Sequence, residues 1–390
     1  MSPRKVIKKP FWLIYFLGFL WALSYALPLY SQSSFVESIV GQENIGLVFV
    51  VMSFVGLLAI YYYSEVLKRF GNYYSAVGIL LLNMIMVLGV FFSSGYMSLV
   101  FYTLLATTFS LFVINNDIFL ESISDDRTTG RIRTTMLTII NIGVLIAPII
   151  MGNILGDTDN FKIVFLIGGI VIFPAFMLLL YRKKDVIDSK VSYRKRSFKA
   201  LKKLFETHPD ILRVMATDFA LRFFYATMVL YLPIVLHEYI GFDWSTIGMV
   251  LTMMLLPFVL LQMPAGKIAD KYLGEKEMII SGIVIMAVFS TAVALFKEPS
   301  VMVWGFILFM TRVGAALLES MNETYFFKQV SKQDMDLIDM FRDIRPFAWL
   351  TAAAVTWLFL RVFDIPSVFL LLSGVLLIAL WPAVLIKDTK

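Results

Sequence analysis

The chain has no cysteine and only two histidines, His208 and His237, in 390 residues. Without cysteine there is no disulfide framework, no thiol nucleophile and no thiolate metal site. Both histidines fall near expected helix ends and leave little for a metal centre, so no cofactor is expected. Charge is scarce as well: 16% of residues are Asp, Glu, Lys or Arg, against 59% hydrophobic, and the mean hydropathy is +0.81. A soluble domain cannot cover a core with so little polar surface. This is the composition of a membrane protein.

What the chain does have is apolar runs of about 20 residues, the length that crosses a hydrocarbon core of about 30 Å as a helix. In lipid every backbone amide must be satisfied internally, which a helix does within one segment. The first run follows MSPRKVIKKP, is longer than a signal-peptide core and lacks a small-residue cleavage site, so it reads as a retained helix. Six spans are expected in the first half: Phe11 to Tyr30, Asn44 to Tyr63, Tyr73 to Phe92, Met97 to Leu120, Met136 to Leu155 and Lys162 to Tyr181. Six more follow: Ile211 to Leu236, Ser245 to Ala265, Met278 to Phe296, Val301 to Met321, Phe347 to Val362 and Pro366 to Ile386. The expected fold is an all-α integral membrane protein of twelve transmembrane helices in two pseudo-symmetric six-helix bundles, residues 1–181 and 211–390.

The basic linker 182–210 joins them. Phe198, Leu201, Leu204 and Phe205 recur in it at helical spacing, with Lys199, Lys202 and Lys203 on the other side. It reads either as an interfacial helix on an anionic leaflet or as a solvated basic connection.

Cations set the orientation. Counted from a cytoplasmic N-terminus, the inside connections hold Arg4, Lys5, Lys8, Lys9, Lys68, Arg69, Arg127, Arg131, Arg133, the linker cluster, Lys267, Lys271, Lys276, Lys328, Lys332, Arg342, Arg345, Lys387 and Lys390. The outside connections hold only Lys162, Lys297 and Arg361. The positive-inside rule then puts both termini in the cytoplasm, in a plasma membrane. That topology accounts for the net charge of +6 and gives no reason to invoke nucleic acid.

The halves also match each other. Leu27-Pro28 pairs with Leu232-Pro233, Asn116-Asp117 with Asn322-Glu323, and Arg69-Phe70-Gly71 with the stretch Lys271 to Gly274. An internal repeat of this kind is expected of a transporter. The segment PAGKIADKYLGEKE, Pro264 to Glu277, carries Gly266, Asp270, Lys271, Gly274 and Lys276. It resembles the loop signature Gly-x-x-x-Asp-Arg/Lys-x-x-Gly-x-Arg/Lys of the major facilitator superfamily. The resemblance implies two bundles that rock about a central cavity lined by helices 1, 4, 7 and 10, giving alternating access, and it implies proton coupling. It implies no enzyme activity.

Ionisable groups at membrane depth are functional candidates, because each costs at least a few kcal/mol unless paired or hydrated. Helix 7 carries Asp218 and Arg222, helix 10 carries Arg312, Glu319 and Glu323, and helix 4 carries Asn115, Asn116 and Asp117. Asp218 and Arg222 are spaced i,i+4 and either pair on one helix or serve the substrate. Arg312 has no carboxylate at i±3 or i±4 and is the first choice as a ligand-contacting cation. Arg222, Tyr225, Asn115, Asn116, Tyr25 and Trp21 are the further substrate candidates, and Asp117, Asp218, Glu319 and Glu323 the proton-coupling candidates. Single hydroxyls in these helices, such as Ser24, Thr103, Thr107 and Thr108, read more simply as helix-helix glue.

In the architecture that the resemblance implies, Asp270 faces Arg131 or Arg133 at the start of helix 5. Aligning Arg69-Phe70-Gly71 puts Lys68 where the first-half motif has its acid, opposite Asp339 and Asp343; Lys68 and Arg69 read as a charge exchange or as ordinary positive-inside residues. Gly143, Ala147, Pro148 and Gly152 suggest a hinge or a tight seam with helix 8. The expected function is a monomeric secondary transporter of a small anionic or amphipathic solute, coupled to protons or another ion and in contact with membrane lipids. Alternatives are a proton-driven exporter of lipophilic compounds and a non-transporting receptor on the same fold.

Overall fold

A computed structural model of the protein describes residues 11–123, 129–183, 209–268, 274–330 and 335–387. Helices make up the described chain: α1 (Phe11–Leu29), α2 (Gln32–Val40), α3 (Ile45–Phe92), α4 (Tyr96–Ile123), α5 (Thr129–Leu155), α6 (Phe161–Tyr181), α7 (Pro209–Ile234), α8 (Trp244–Ile268), α9 (Glu275–Leu295), α10 (Val301–Gln329), α11 (Met335–Phe359) and α12 (Val368–Leu385). The linker residues 184–208 lie outside the described residues, and with them Phe198, Leu201, Leu204, Phe205 and His208.

Helix α3 accounts for two crossings. Its 48 residues would run about 72 Å as one rod, more than twice a hydrocarbon core. The rod breaks at Gly71, where φ is 75° and ψ is 169°, a conformation open to glycine and costly for other residues. Tyr63 and Asn72, about 13.5 Å apart on a continuous helix, both hydrogen-bond to Asn115, so the chain turns back between them. Gly274, before α9, has nearly the same backbone, φ 82° and ψ 163°. The paired loops of the two halves thus share one turn chemistry. With α2 as a short continuation after α1, the spans number twelve.

Helices extend past the apolar windows that mark them in sequence. α5 begins at Thr129 rather than Met136, α10 runs on to Gln329, and α11 starts at Met335, a dozen residues before its apolar stretch. Hydropathy marks where lipid begins, whereas helical hydrogen bonding continues as long as side chains can reach water.

The described chain divides into two compact units. The first holds residues 1–29, 55–147 and 160–193. Its core packs α1 on α6 and α4 around Leu13, Leu17, Phe112, Phe119 and Leu179. The second holds residues 30–54, 148–159 and 194–390. In it α9 packs on α10 and α12, α10 on α8, and α7 is covered by α10, α11, α12 and α2. Lys328 at the end of α10 pairs with Glu275 at the start of α9.

Within the second unit, the end of α5 beyond Pro148 lies against α8 at backbone contact. A Cβ on Gly248 would sit 2.4 Å from the Pro148 carbonyl oxygen, and one on Gly152 would sit 2.4 Å from that of Trp244. Ser245 Oγ donates to the Gly152 carbonyl at 3.3 Å. This is the tight seam that the small residues of helix 5 suggest. Gly248→Val is expected to lower stability by about 1–3 kcal/mol through overpacking. At Gly56 an added Cβ would meet no atom within 4 Å, so alanine there should cause no loss; thermal unfolding of the detergent-solubilised variants compares the two.

Candidate functional site

Of the charged residues in the spans, Asp218, Arg222, Arg312, Glu319 and Glu323 lie in the second unit, on α7 and α10, and Asp117 lies in the first, on α4. Arg222 lies about 20 Å along α7 and Arg312 about 17 Å along α10, both mid-helix. Asp218, one turn before Arg222, accepts from Arg222 Nε at 3.3 Å. Glu319 comes from α10 and accepts from Arg222 Nη1 at 2.7 Å. Its other oxygen, Oε2, accepts from the Tyr225 hydroxyl at 3.2 Å. Arg222 is therefore an ion-paired residue with two acids. Glu323 stands one turn beyond Glu319, and Thr217 Oγ1 donates to Asn322 Oδ1 at 2.9 Å beside Asp218.

Arg312 is different. It is 2% exposed, and Nε and Nη1 are buried without a hydrogen-bond partner. Among the described residues, its contacts are aromatic: Cζ lies 5.0 Å from the Phe224 ring and 5.3 Å from the Tyr225 ring. A cation–π contact contributes about 2 kcal/mol when desolvated, whereas burying an ion carries an effective penalty of several kcal/mol. The two rings are the partners that Arg312 has among the described residues.

The first unit has a neutral polar layer. Asn115 accepts from the Tyr63 hydroxyl at 2.6 Å and donates to Asn72 Oδ1 at 2.8 Å, while Asn72 Nδ2 donates to the Asn115 carbonyl at 3.1 Å. Asn83 donates to Thr108 Oγ1 at 2.8 Å. These bonds join the two arms of α3 to α4 and occupy Asn115 fully. Asn116 is elsewhere: with Trp21, Val113, Asp117, Leu120, Arg133, Met136, Leu137 and Ile140 it lines a recess of about 130 Å³. Trp21 stacks on Tyr25 at 5.6 Å and donates to the Phe109 carbonyl at 3.3 Å. Thr103, Thr107 and Thr108 bond to carbonyls of their own helix, the usual way in which a hydroxyl is satisfied in lipid. Ser24 donates across to the Gly168 carbonyl at 2.7 Å.

Of the gating candidates, Asp270 and Lys271 lie outside the described residues, as do the side chains of Arg131 and Asp339. Gly266 lies near the end of α8 and Gly274 precedes α9. Lys68 pairs with Glu65 on its own helix at 2.7 Å, and Arg69 lies over the Phe70 ring at 5.4 Å. Arg133 lines the recess of the first unit, and Asp343 is partly buried in α11.

Several polar partners escape a reading confined to helices 1, 4, 7 and 10. Asn72 and Asn83 belong to the arms of α3, and their only sequence signal is that an amide within an apolar run needs a partner. Phe224, against Arg312, looks like any lipid-facing ring. Glu37, in α2, lies outside every expected span. Its Oε2 is buried without a partner, and burial, then the nearby charge of Glu238, push the carboxyl up to about 7. Gln42 Nε2 donates to Glu238 at 2.8 Å beside it.

Apolar helices with ion pairs and a solitary cation in mid-span define a multi-pass integral membrane protein with the equipment of a solute carrier. The chain matches the family model of the Major Facilitator Superfamily over residues 11–337 and belongs to that superfamily. It is a secondary transporter of a small molecule rather than an enzyme. The in meso crystal structure of PepTSo, a POT family transporter, matches at a TM-score of 0.72 and 12% identity, over 96% of this chain and 97% of that one. That likeness concerns the fold. No curated protein sequence matches the chain.

Two stability measurements follow. Arg222→Gln leaves two carboxylates uncompensated and is expected to cost about 3–5 kcal/mol, whereas Arg312→Gln removes an unpaired buried charge and is expected to be neutral or stabilising. Thermal midpoints of the two variants, measured at one pH, compare them. Glu37 binds a proton in the folded state between its ordinary value of 4.5 and about 7, a range in which the unfolded chain has released it. Stability therefore falls as pH rises through that window and levels off above it. Glu37→Gln should flatten this part of the stability profile, seen as a smaller difference in thermal midpoint between about pH 5 and about pH 7.5.

Proposed function

We propose that the protein carries a small anionic or amphipathic organic solute by rocker-switch alternating access, with proton coupling through the carboxylates beside Arg222. The two bundles 1–181 and 211–390 are the moving bodies. The membrane is the cytoplasmic membrane, and both termini are cytoplasmic, as the distribution of lysine and arginine supports.

The observation that carries this reading is Arg312, a cation buried mid-span with aromatic neighbours and, among the described residues, no acid. A substrate anion supplies the missing charge, and Phe224 and Tyr225 favour an anion with an apolar body. Arg222, already paired with Asp218 and Glu319, is the counter-ion of the acids rather than the substrate ligand. Charge counting supports coupling. Asp218, Glu319 and Glu323 against Arg222 and Arg312 leave one net negative charge when all are ionised. An incoming monoanion would make it two, and a proton taken up by one carboxylate restores the balance. A proton-driven exporter of lipophilic compounds would need the acids but would make both arginines structural, which the bare surroundings of Arg312 do not favour.

Arg312→Ala is expected to weaken binding of aryl and alkyl monocarboxylates and sulfonates at least about a hundredfold, the loss of a desolvated charge pair. Counterflow of the same anions in proteoliposomes should stop. Unchanged anion counterflow in that variant, together with binding of tetraphenylphosphonium to both proteins, would transfer the assignment to the exporter reading.

A further inference from the structure

Tyr225 meets both arginines. Its ring lies 5.7 Å from Arg222 Cζ and 5.3 Å from Arg312 Cζ, and its hydroxyl donates to Glu319 Oε2 at 3.2 Å. Phe258 of α8 meets the ring edge-on at 6.1 Å. Among the described residues, Tyr225 is the one side chain that meets both guanidinium groups and Glu319. Glu319 and Arg312 are themselves two turns apart on α10, about 10 Å, and Arg222 reaches the carboxylate from α7.

We propose that Tyr225 is a positioning residue through which the charge on Glu319 controls how tightly Arg312 holds an anion; this rests on the reading of Arg312 as the anion-binding cation. While Glu319 is a carboxylate, it holds the tyrosine O–H, which fixes the ring and keeps the Arg312 guanidinium lodged against its face. Once Glu319 is neutral, the charge-assisted hydrogen bond weakens and the ring is free to turn. The Arg312 donors can then leave the ring for an anion approaching in the guanidinium plane. By reciprocity, an anion that draws Arg312 off the ring loosens Tyr225 from Glu319 and favours its protonation. Substrate and proton are thereby linked through one side chain that itself carries no charge.

Among the described residues of the second unit, other ionisable groups around Glu319 are few. From α7 it faces Asp218, Arg222 and Tyr225, and on α10 it has Glu323 one turn away and Arg312 two turns away. The stretch of α8 from Trp244 to Leu261 has none, and α9 has Glu275, Lys276 and Glu277 only at its first turn. α11 brings Arg342, Asp343 and Arg345 near the Phe326–Phe341 stack, about two turns beyond Glu319. The coupling therefore has a short list of carriers, and Tyr225 can be separated from the rest.

A double-mutant cycle tests it with benzenesulfonate, an aryl monoanion whose own charge does not change with pH. Its dissociation constant is measured at one pH by calorimetry for the wild type, Glu319→Gln, Tyr225→Phe and the double variant. Phenylalanine keeps the ring and removes only the hydroxyl. Any direct field of Glu319 at Arg312 is the same in both backgrounds and cancels in the cycle. Glu319→Gln is expected to tighten binding about tenfold in the wild-type background and less than about threefold beside Tyr225→Phe, within the usual range of coupling between sites. An equal effect in both backgrounds, or none in the wild type, overturns the role of Tyr225. Failure of the wild type to bind benzenesulfonate, or undiminished binding by Arg312→Ala, instead overturns the underlying reading of Arg312. Each variant is first checked for a monodisperse elution profile, and Glu319→Ala takes the place of the glutamine variant if that one does not pass.

Discussion

In hydrocarbon an ion without a counter-ion costs several kcal/mol, and Arg222 meets that constraint twice, with Asp218 on its own helix and Glu319 on the next. The pairing fixes how α7 and α10 face each other at mid-depth, since a buried carboxylate cannot drift from its arginine without stranding both. It also decides what is left over. With both nearby acids committed to Arg222, Arg312 keeps a full charge and only aromatic neighbours among the described residues. Two arginines that look equivalent in composition thus occupy opposite electrostatic situations while sharing one tyrosine ring.

The amide layer of the first unit solves the same problem without charge. Asn115, Asn72 and Tyr63 satisfy one another, as do Asn83 and Thr108. Neutral amides pair at a smaller desolvation cost than ions, so this layer can be closed and dry, holding three helical segments in register. The repeat that relates the halves is therefore one of backbone and turn, seen in Gly71 and Gly274, and not of electrostatics. Asn116 and Asn322 occupy matching places in sequence, yet one lines a recess beside Arg133 and the other bonds to Thr217.

Much of the fold can be read from the chain because its signals are local. Span length, the distribution of cations and the loop glycines each depend on a few adjacent residues. The Asp218–Arg222 pair is equally local, one helical turn, and so is the lack of an acid within a turn of Arg312. Glu319 as the second partner of Arg222 is not legible, since 97 residues separate them and only the packing of α7 on α10 brings them together. The same holds for Asn72 and Asn115, and for the backbone contact of Gly152 with Gly248, which sequence suggests only as a stripe of small residues. Helix ends are misjudged wherever hydropathy ends before hydrogen bonding does, as at Thr129 and Met335.

The break in α3 at a single residue leaves no loop between the two arms to hold slack. An insertion or deletion in either arm would therefore not be absorbed at the turn but would carry Tyr63 or Asn72 off Asn115. The same shortness ties the second arm to the stretch of the first that shares its unit, from residue 55.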